Sequence, residues 1–297
     1  MAKIGVKLIR GQMKAFGSLP LSFHLRMAGF ARWILKDVMG YRKDVIYVNL
    51  ARSFPELKYP KLKEIANGYY SHMARIVTEA IWFGASSEKR VEESHICEVE
   101  NPDEFASWYE NSQKSLMVLY SHCGNWEILG GIKQYFYGKC PFNKDNFYIV
   151  YKRLHNKVWN DVFYQNRQNP VEGYKGQLES NEVLRFILKN KANKSVYMVN
   201  VDQSPYESAY PIGEFLHQDT KAMMAMANIA HKLSMPVIYM EMREEEPGKY
   251  RLHFTEICKD ASIQTPEEIM RKYYDLLEEE VKNKPHNYLW SHKRWKF

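Results

Sequence analysis

The sequence predicts an α/β fold, a mostly parallel central sheet flanked by helices, with N-terminal amphipathic helices ahead of it. Two observations carry that expectation. From residue 115 onward, short apolar runs of strand length alternate with helical stretches, the order in which parallel sheets are built. Before residue 59 the period is helical, but the stretches are basic and broken by charge. The expected division is therefore 1–58 for N-terminal amphipathic membrane-associating helices and 59–297 for the α/β domain.

Taken in order, Lys3, Lys7, Arg10 and Lys14 fall on one helical stripe, with Ile9, Met13 and Phe16 turned away from it. A second stretch places Phe23, Met27, Phe30, Ile34 and Val38 on one face, interrupted by His24, Arg26, Arg32, Lys36 and Asp37. No apolar run approaches the ~20 residues needed to span a bilayer. No short apolar core with a cleavage site follows the start either. A basic helix pair lying in a membrane interface fits this pattern, and the same helices are free to pack on the domain behind them.

After Arg52-Ser53-Phe54-Pro55-Glu56 comes a helical stretch from about Lys61 to Phe83. The strand candidates are Leu116 to Tyr120, Phe147 to Tyr151, Val196 to Val201, Val237 to Glu241 and Tyr250 to Thr255. Between them lie helical stretches Trp126 to Tyr137, Asn156 to Arg167, Leu178 to Lys189 and Lys221 to Leu233. The last two strands are joined only by the charged segment Arg243 to Lys249, and read as a hairpin. A final helix starts with Thr265 as N-cap, Pro266 at its first position and Glu268 closing a capping box.

Composition narrows the function. Four cysteines, Cys97, Cys123, Cys140 and Cys258, are scattered without paired spacing, which suits a reducing compartment better than a disulfide framework or a zinc site. No Cys-x-x-Cys, His-Glu-x-x-His, phosphate-loop or dinucleotide fingerprint occurs, so neither metal nor cofactor is expected; Gly173 and Gly176 read as a turn. A net charge of +7 points to an acidic partner: nucleic acid, anionic lipid or an acidic carrier protein. The basic residues do not gather into a known nucleic-acid reader motif, which leaves the other two.

The chemistry gathers after the first of the alternating strands. In Ser121-His122-Cys123-Gly124-Asn125-Trp126-Glu127, a base and a carboxylate sit where a buried strand opens into a loop and then a helix. Reactive groups in open α/β sheets collect at such carboxyl ends, where a new helix also brings unpaired N–H groups. A histidine there takes a proton from a hydroxyl, and a carboxylate fixes its tautomer, which suggests acyl transfer to an alcohol without a covalent enzyme intermediate. The bare spacing is weak: with 10 histidines and 35 acids, about one chance His-x4-Asp/Glu match is expected. The other match, His95 with Glu100, lies in an alternating stretch that would put the two on opposite faces of a strand.

Asp202 follows the apolar run ending at Val201, and Arg167 ends the helical stretch from Asn156. Their plain alternatives are a turn residue and a cation favoured by the helix dipole; for His122 and Glu127 they are a bonded core histidine and a first-turn carboxylate. Cys123 invites a nucleophile reading, but a small buried cysteine is the commoner outcome, and Ser121 lacks a Gly-x-Ser-x-Gly elbow. Met223, Met224 and Met226 read as core or as the wall of an acyl-chain slot.

Together these residues resemble the late acyltransferases of lipid A biosynthesis (the lauroyl/myristoyl type), within the lysophospholipid acyltransferase superfamily. The resemblance covers nearly the whole chain. It rests on Tyr41-Arg42, Asn49-Leu50-Ala51-Arg52-Ser53-Phe54-Pro55-Glu56, the His122 to Glu127 block, Asp202-Gln203 and Asn287-Tyr288-Leu289-Trp290-Ser291-His292-Lys293-Arg294-Trp295. It places the family's catalytic pair on His122 and Glu127, its functional arginine on Arg167 and its functional aspartate on Asp202. The chain departs from the family at Tyr151-Lys152-Arg153, often Tyr-Arg-Pro, and at Phe215-Leu216-His217-Gln218-Asp219-Thr220, often a Phe-Phe-Gly-like stretch before threonine; both loops bear on acyl length and acceptor.

The resemblance implies a glycerol-phosphate-acyltransferase-like domain over 59–297. It also implies an enzyme on the cytoplasmic face of the bacterial inner membrane, moving an acyl chain from acyl carrier protein to a hydroxyl of an anionic lipid A precursor. His122 is then the general base and Glu127 orients its ring. Arg167 binds a phosphate or carboxylate of the acceptor, Asp202 positions Arg167 or another site group, and Asn125 contacts substrate. Backbone N–H groups around Gly124 and Asn125 would stabilise the oxyanion. The rivals are an acyltransferase of the same superfamily with another lipid acceptor, a cysteine hydrolase using Cys123, and a non-catalytic lipid or acyl-carrier binding protein.

Overall fold

The computed structural model describes residues 2–203 and 209–296. Helices α1 (Ala2–Gly17), α2 (Leu21–Trp33) and α3 (Lys43–Ser53) lead into the long α4 (Tyr59–Phe83) and the short α5 (Glu88–Ser94). There follow β1 (Cys97–Val99), α6 (Pro102–Asn111), β2 (Leu116–Tyr120), a 3-10 segment Trp126–Gly131 with α7 (Ile132–Tyr135), β3 (Phe147–Tyr151) and α8 (Lys157–Gln168). The rest comprises β4 (Gln177–Glu179), α9 (Val183–Lys189), β5 (Val196–Asn200), β6 (Tyr210–Phe215), β7 (Gln218–Ala222), α10 (Ala225–Lys232), β8 (Val237–Glu246), β9 (Lys249–Cys258) and α11 (Pro266–Asn283).

The mostly parallel sheet is present. Seven strands lie in the order β1-β9-β8-β2-β5-β3-β4, and every pairing except the β8–β9 hairpin is parallel. β2 is central and wholly buried, which is why its sequence, Leu-Met-Val-Leu-Tyr, is continuously apolar rather than alternating. Met117 and Leu119 join the core on one face, with Tyr197, Val199 and the buried side of α11. Leu116, Val118 and Tyr120 join the other, with Phe83, Ile128 and Leu129. α4 serves both, supplying Ile65, Ala66 and Tyr69 to the first core and Trp82 and Phe83 to the second.

Several boundaries differ from the sequence reading. β8 and β9 extend to a tight turn at Pro247-Gly248, where Gly248 takes a positive φ of 75°. The stretch 126–137 is a 3-10 segment plus one α-turn, and Gly130 within it lies against the Arg167 carbonyl so closely that a Cβ would sit 2.1 Å from it. Gln177–Glu179 is the edge strand β4 rather than helix, and Lys221 belongs to β7. The β6–β7 hairpin was not expected, since its turn uses positive φ at Leu216 and His217, without the glycine or asparagine that marks such turns. The capping box of Thr265 and Glu268 is present.

The N-terminal helices pack on the sheet-bearing part, α2 against α4 and α1 against α8. Arg10, expected on a basic outer stripe, reaches Asn166 and Asn169 at the end of α8, both at 3.2 Å. Leu8, Phe30, Trp33, Val38 and Met39 stay exposed. Among the described residues no helix is long and apolar enough to cross a membrane.

Candidate active site

The site forms at the carboxyl ends of the adjacent strands β2 and β5, whose last residues Tyr120 and Asn200 are paired in register. Beyond β2 the chain turns sharply. Gly124 has φ 63°, and a Cβ there would lie 2.5 Å from Cγ of Met242, so only glycine fits. The Gly124 N–H donates to the Asn287 carbonyl at 3.2 Å, and its own carbonyl lies 3.2 Å from Nε2 of His72. Asn125 caps the following turn, its Oδ1 accepting the Glu127 N–H at 3.2 Å while its Nδ2 donates to Glu79 at 2.8 Å. Burial pushes the Glu79 carboxyl up to about 7.

This bracing aims His122 at its partners. Nδ1 stands 2.7 Å from Oδ1 of Asp202. On the other side of the ring, the Asn200 and Gln203 amide nitrogens lie 2.9 and 3.1 Å from Nε2. That environment is consistent with a proton on Nδ1 and a lone pair on Nε2. Trp126 packs edge-on against the imidazole, centroids 5.0 Å apart. Asp202 is 2% exposed. Burial alone would raise its carboxyl, but the His122 ring and backbone N–H, with the Arg294 charge behind, hold it below the usual range.

Glu127 has a different partner from the one expected. Arg167 grips it bidentately, Nε to Oε2 at 2.8 Å and Nη2 to Oε1 at 2.7 Å. Burial would raise the Glu127 carboxyl; the Arg167 charge and hydrogen bonds, then His122, overcome it and pull it down. Burial would likewise lower Arg167, and Glu127 outweighs it. The sequence reading had Glu127 orienting the imidazole and Asp202 positioning Arg167 or another site group. In the structure Glu127 holds Arg167 instead, and the group that Asp202 positions is His122, because β5 lies beside β2 and delivers Asp202 to Nδ1.

His122, Glu127 and Arg167 line one cavity of about 370 Å³. Its floor is apolar, with Tyr120, Ile149 and Val150, and its rim is basic, with Lys152, Arg153 and His155. Asp202 lies one layer behind the ring. Asn125, expected to contact substrate, is fully buried with both ends of its side chain bonded, so it supports the turn instead. Of the backbone N–H groups expected as oxyanion donors around Gly124 and Asn125, that of Gly124 is committed to Asn287. Cys123 is buried, and its thiol is pushed well above the usual value, first by burial and then by Glu280. That is the setting of an inert thiol, not a nucleophile.

Sequence reasoning missed Asn200, read only as part of an apolar strand, and the rim residues after β3, noted only as a departure from a family pattern. Their signal is positional: Asn200 ends β5, the neighbour of β2, and the rim residues follow β3, the next strand beyond β5. The pairing of His95 with Glu100 is absent as expected; His95 stacks on Tyr137, while Glu100 pairs with Arg243 at 2.8 Å.

The arrangement places an imidazole, hydrogen-bonded to a buried carboxylate, on a cavity with an apolar floor and a cationic rim. It can take a proton from a hydroxyl beside an acyl group. Comparison with curated proteins gives no match. The family pattern described as bacterial lipid A biosynthesis acyltransferase matches residues 3–297, and the chain belongs to that family.

Proposed function

We propose that this acyltransferase moves a fatty acyl chain from acyl carrier protein to a hydroxyl of a lipid A precursor, a secondary acylation, with His122 as general base. The observation that carries the reading is the 2.7 Å contact of Asp202 with Nδ1, which leaves Nε2 as the basic nitrogen on the cavity side. The acceptor hydroxyl gives its proton to Nε2 as its oxygen attacks the thioester carbonyl. Asp202 holds the tautomer and stabilises the imidazolium, and that proton then leaves with the thiolate. Glu127, kept ionised by Arg167, adds negative charge near the ring. Such base catalysis is typically worth ~10²–10⁴-fold.

The basic rim at Lys152 and Arg153 receives the anionic acceptor, beside Arg167, which holds Glu127 through Nε and Nη2. The exposed Phe30, Trp33, Val38 and Met39, with the net positive charge, support docking of the N-terminal helices on an anionic bilayer surface. The same charge suits the acidic carrier, which supports a reading in which the enzyme works on the cytoplasmic face of the inner membrane. His122→Ala is expected to keep the fold and lose transfer from acyl carrier protein at least ~100-fold. Product formation at the wild-type rate removes His122 from the mechanism.

A further inference from the structure

Two side-chain amides converge on the reactive nitrogen of His122. Nδ2 of Asn200 lies 2.9 Å from Nε2, and Nε2 of Gln203 lies 3.1 Å from it. With the ring proton directed at Asp202, Nε2 offers a single in-plane lone pair. One lone pair cannot fully satisfy two donors, so among the described residues the two amides compete for one acceptor. Of the neighbouring donors, the Gly124 N–H is committed to Asn287, and Nε and Nη2 of Arg167 each give a hydrogen bond to Glu127.

We infer that the Asn200 and Gln203 amides are the oxyanion donors of the acyl transfer; this rests on the reading of His122 as its base. A hydroxyl that gives its proton to Nε2 must come within ~2.6–3.2 Å of it, and so takes the space in front of the lone pair that the amides now occupy. Its oxygen bonds to the thioester carbonyl carbon, the carbonyl π pair moves onto oxygen, and its proton goes to Nε2. The new oxyanion stands beside the nucleophile, where the displaced N–H groups meet it. Collapse re-forms the carbonyl, breaks the C–S bond and sends the pair to sulfur, which takes the proton back from Nε2. No further reactant is consumed. In the resting site the two donors share one neutral acceptor, and in the transition state they gain an anion, so their bonding strengthens where it lowers the barrier.

Placement favours this use. Asn200 is fixed by β5 in register with Tyr120, Gln203 follows three residues on, and both line the cavity with His122.

The test uses the full-length protein, a fatty acyl carrier protein thioester and a lipid A precursor. Asn200→Ala and Gln203→Ala are expected to lower kcat at least ~10-fold each, and the double variant by ~10²–10³-fold, the cost of losing oxyanion donors. KM for both substrates should stay within about twofold, since the gain is confined to the transition state. The acid limb of the kcat profile should stay where the wild type has it. An unchanged or raised kcat overturns the inference, because removing a mere block on Nε2 would give that. A loss confined to KM, or one that follows a displaced acid limb, overturns it too. Should Asn200→Ala fail to melt cooperatively, Gln203→Ala, on a half-buried loop residue, decides alone. His122→Ala in the same assay separates the two levels. An active His122→Ala removes the base reading itself, whereas an inactive one beside an intact double variant removes only the amides.

Discussion

Asp202→Asn is the sharpest single perturbation of this site. The substitution keeps shape and volume but replaces the acceptor 2.7 Å from Nδ1 of His122 with an amide that can present N–H there. A donor at Nδ1 favours the other tautomer, with the ring proton on Nε2, the nitrogen that has to receive one. The same change in a histidine–aspartate pair of serine proteases lowers kcat about 10⁴-fold, or about 5.5 kcal/mol at 1.36 kcal/mol per tenfold. A loss of that order is expected here, because the contact is 2.7 Å and Asp202 is 2% exposed, so water does not replace the lost acceptor. Stability should fall as well. The folded carboxyl is held below its ordinary value, so its contribution is present above the unfolded value of about 3.9 and is lost as pH falls below it. The assay is thiol release from acyl carrier protein with lipid acceptor present, with KM measured for each and melting followed by circular dichroism. A folded Asp202→Asn variant with kcat within tenfold of wild type would refute the tautomer argument.

Two further outcomes follow from buried charge. Arg167→Ala leaves the half-buried Glu127 carboxylate without its partner, which should destabilise by less than the about 3–5 kcal/mol that breaking a fully buried pair costs. Adding Glu127→Gln to Arg167→Ala should recover much of it; equal denaturation midpoints for the single and double variants would contradict the pairing. Glu280, fully buried against Tyr239 and the Met242 N–H, is pushed up to about 8, chiefly by burial. A raised carboxyl favours the fold fully below its unfolded value and loses that contribution as pH rises through about 8. Glu280→Gln should therefore melt above wild type at pH values beyond that point, with the difference closing toward acid. Parallel melting curves across pH would dismiss it.

The fold was legible where burial dictates sequence. β2, β5 and β8 are covered on both faces in their central parts and read as apolar runs, and α11 begins with a capping box visible in the residues alone. β4 was not, because three residues at a sheet edge carry no period, and the β6–β7 turn was not, because Leu216 and His217 adopt φ values that their side chains do not advertise. The site divides the same way. His122 and Glu127 share a short motif, so both were found, as were Arg167 and Asp202 through the resemblance. Which carboxylate serves the imidazole depends on strand order: β5 pairs with β2 although 75 residues lie between the two strands, and spacing along the chain does not encode that neighbour.

The segments at the chain's two ends that carry much of the family likeness contain no cavity-lining group, and the contacts explain their place in it. Asn49 donates to the carbonyls of Trp290 and His292 at 2.8 and 2.9 Å, and Arg42 to that of Ser291 at 2.9 Å, so α3 clasps the C-terminal run. Trp290 is buried against Phe54, and Arg294 reaches Tyr274 and the Lys221 carbonyl behind Asp202. The same run brings Asn287, whose carbonyl takes the Gly124 N–H while its amide donates to Met242 at 2.8 Å. Gly124 sits in the turn that presents His122, and Arg294 is a buried cation helping to keep Asp202 ionised. Both members of the histidine–aspartate pair thus depend on a strap that the N-terminal helices hold down. A substitution at Asn49 or Arg42 would then act on the imidazole through the chain's far end, although neither residue lines the cavity that His122 faces.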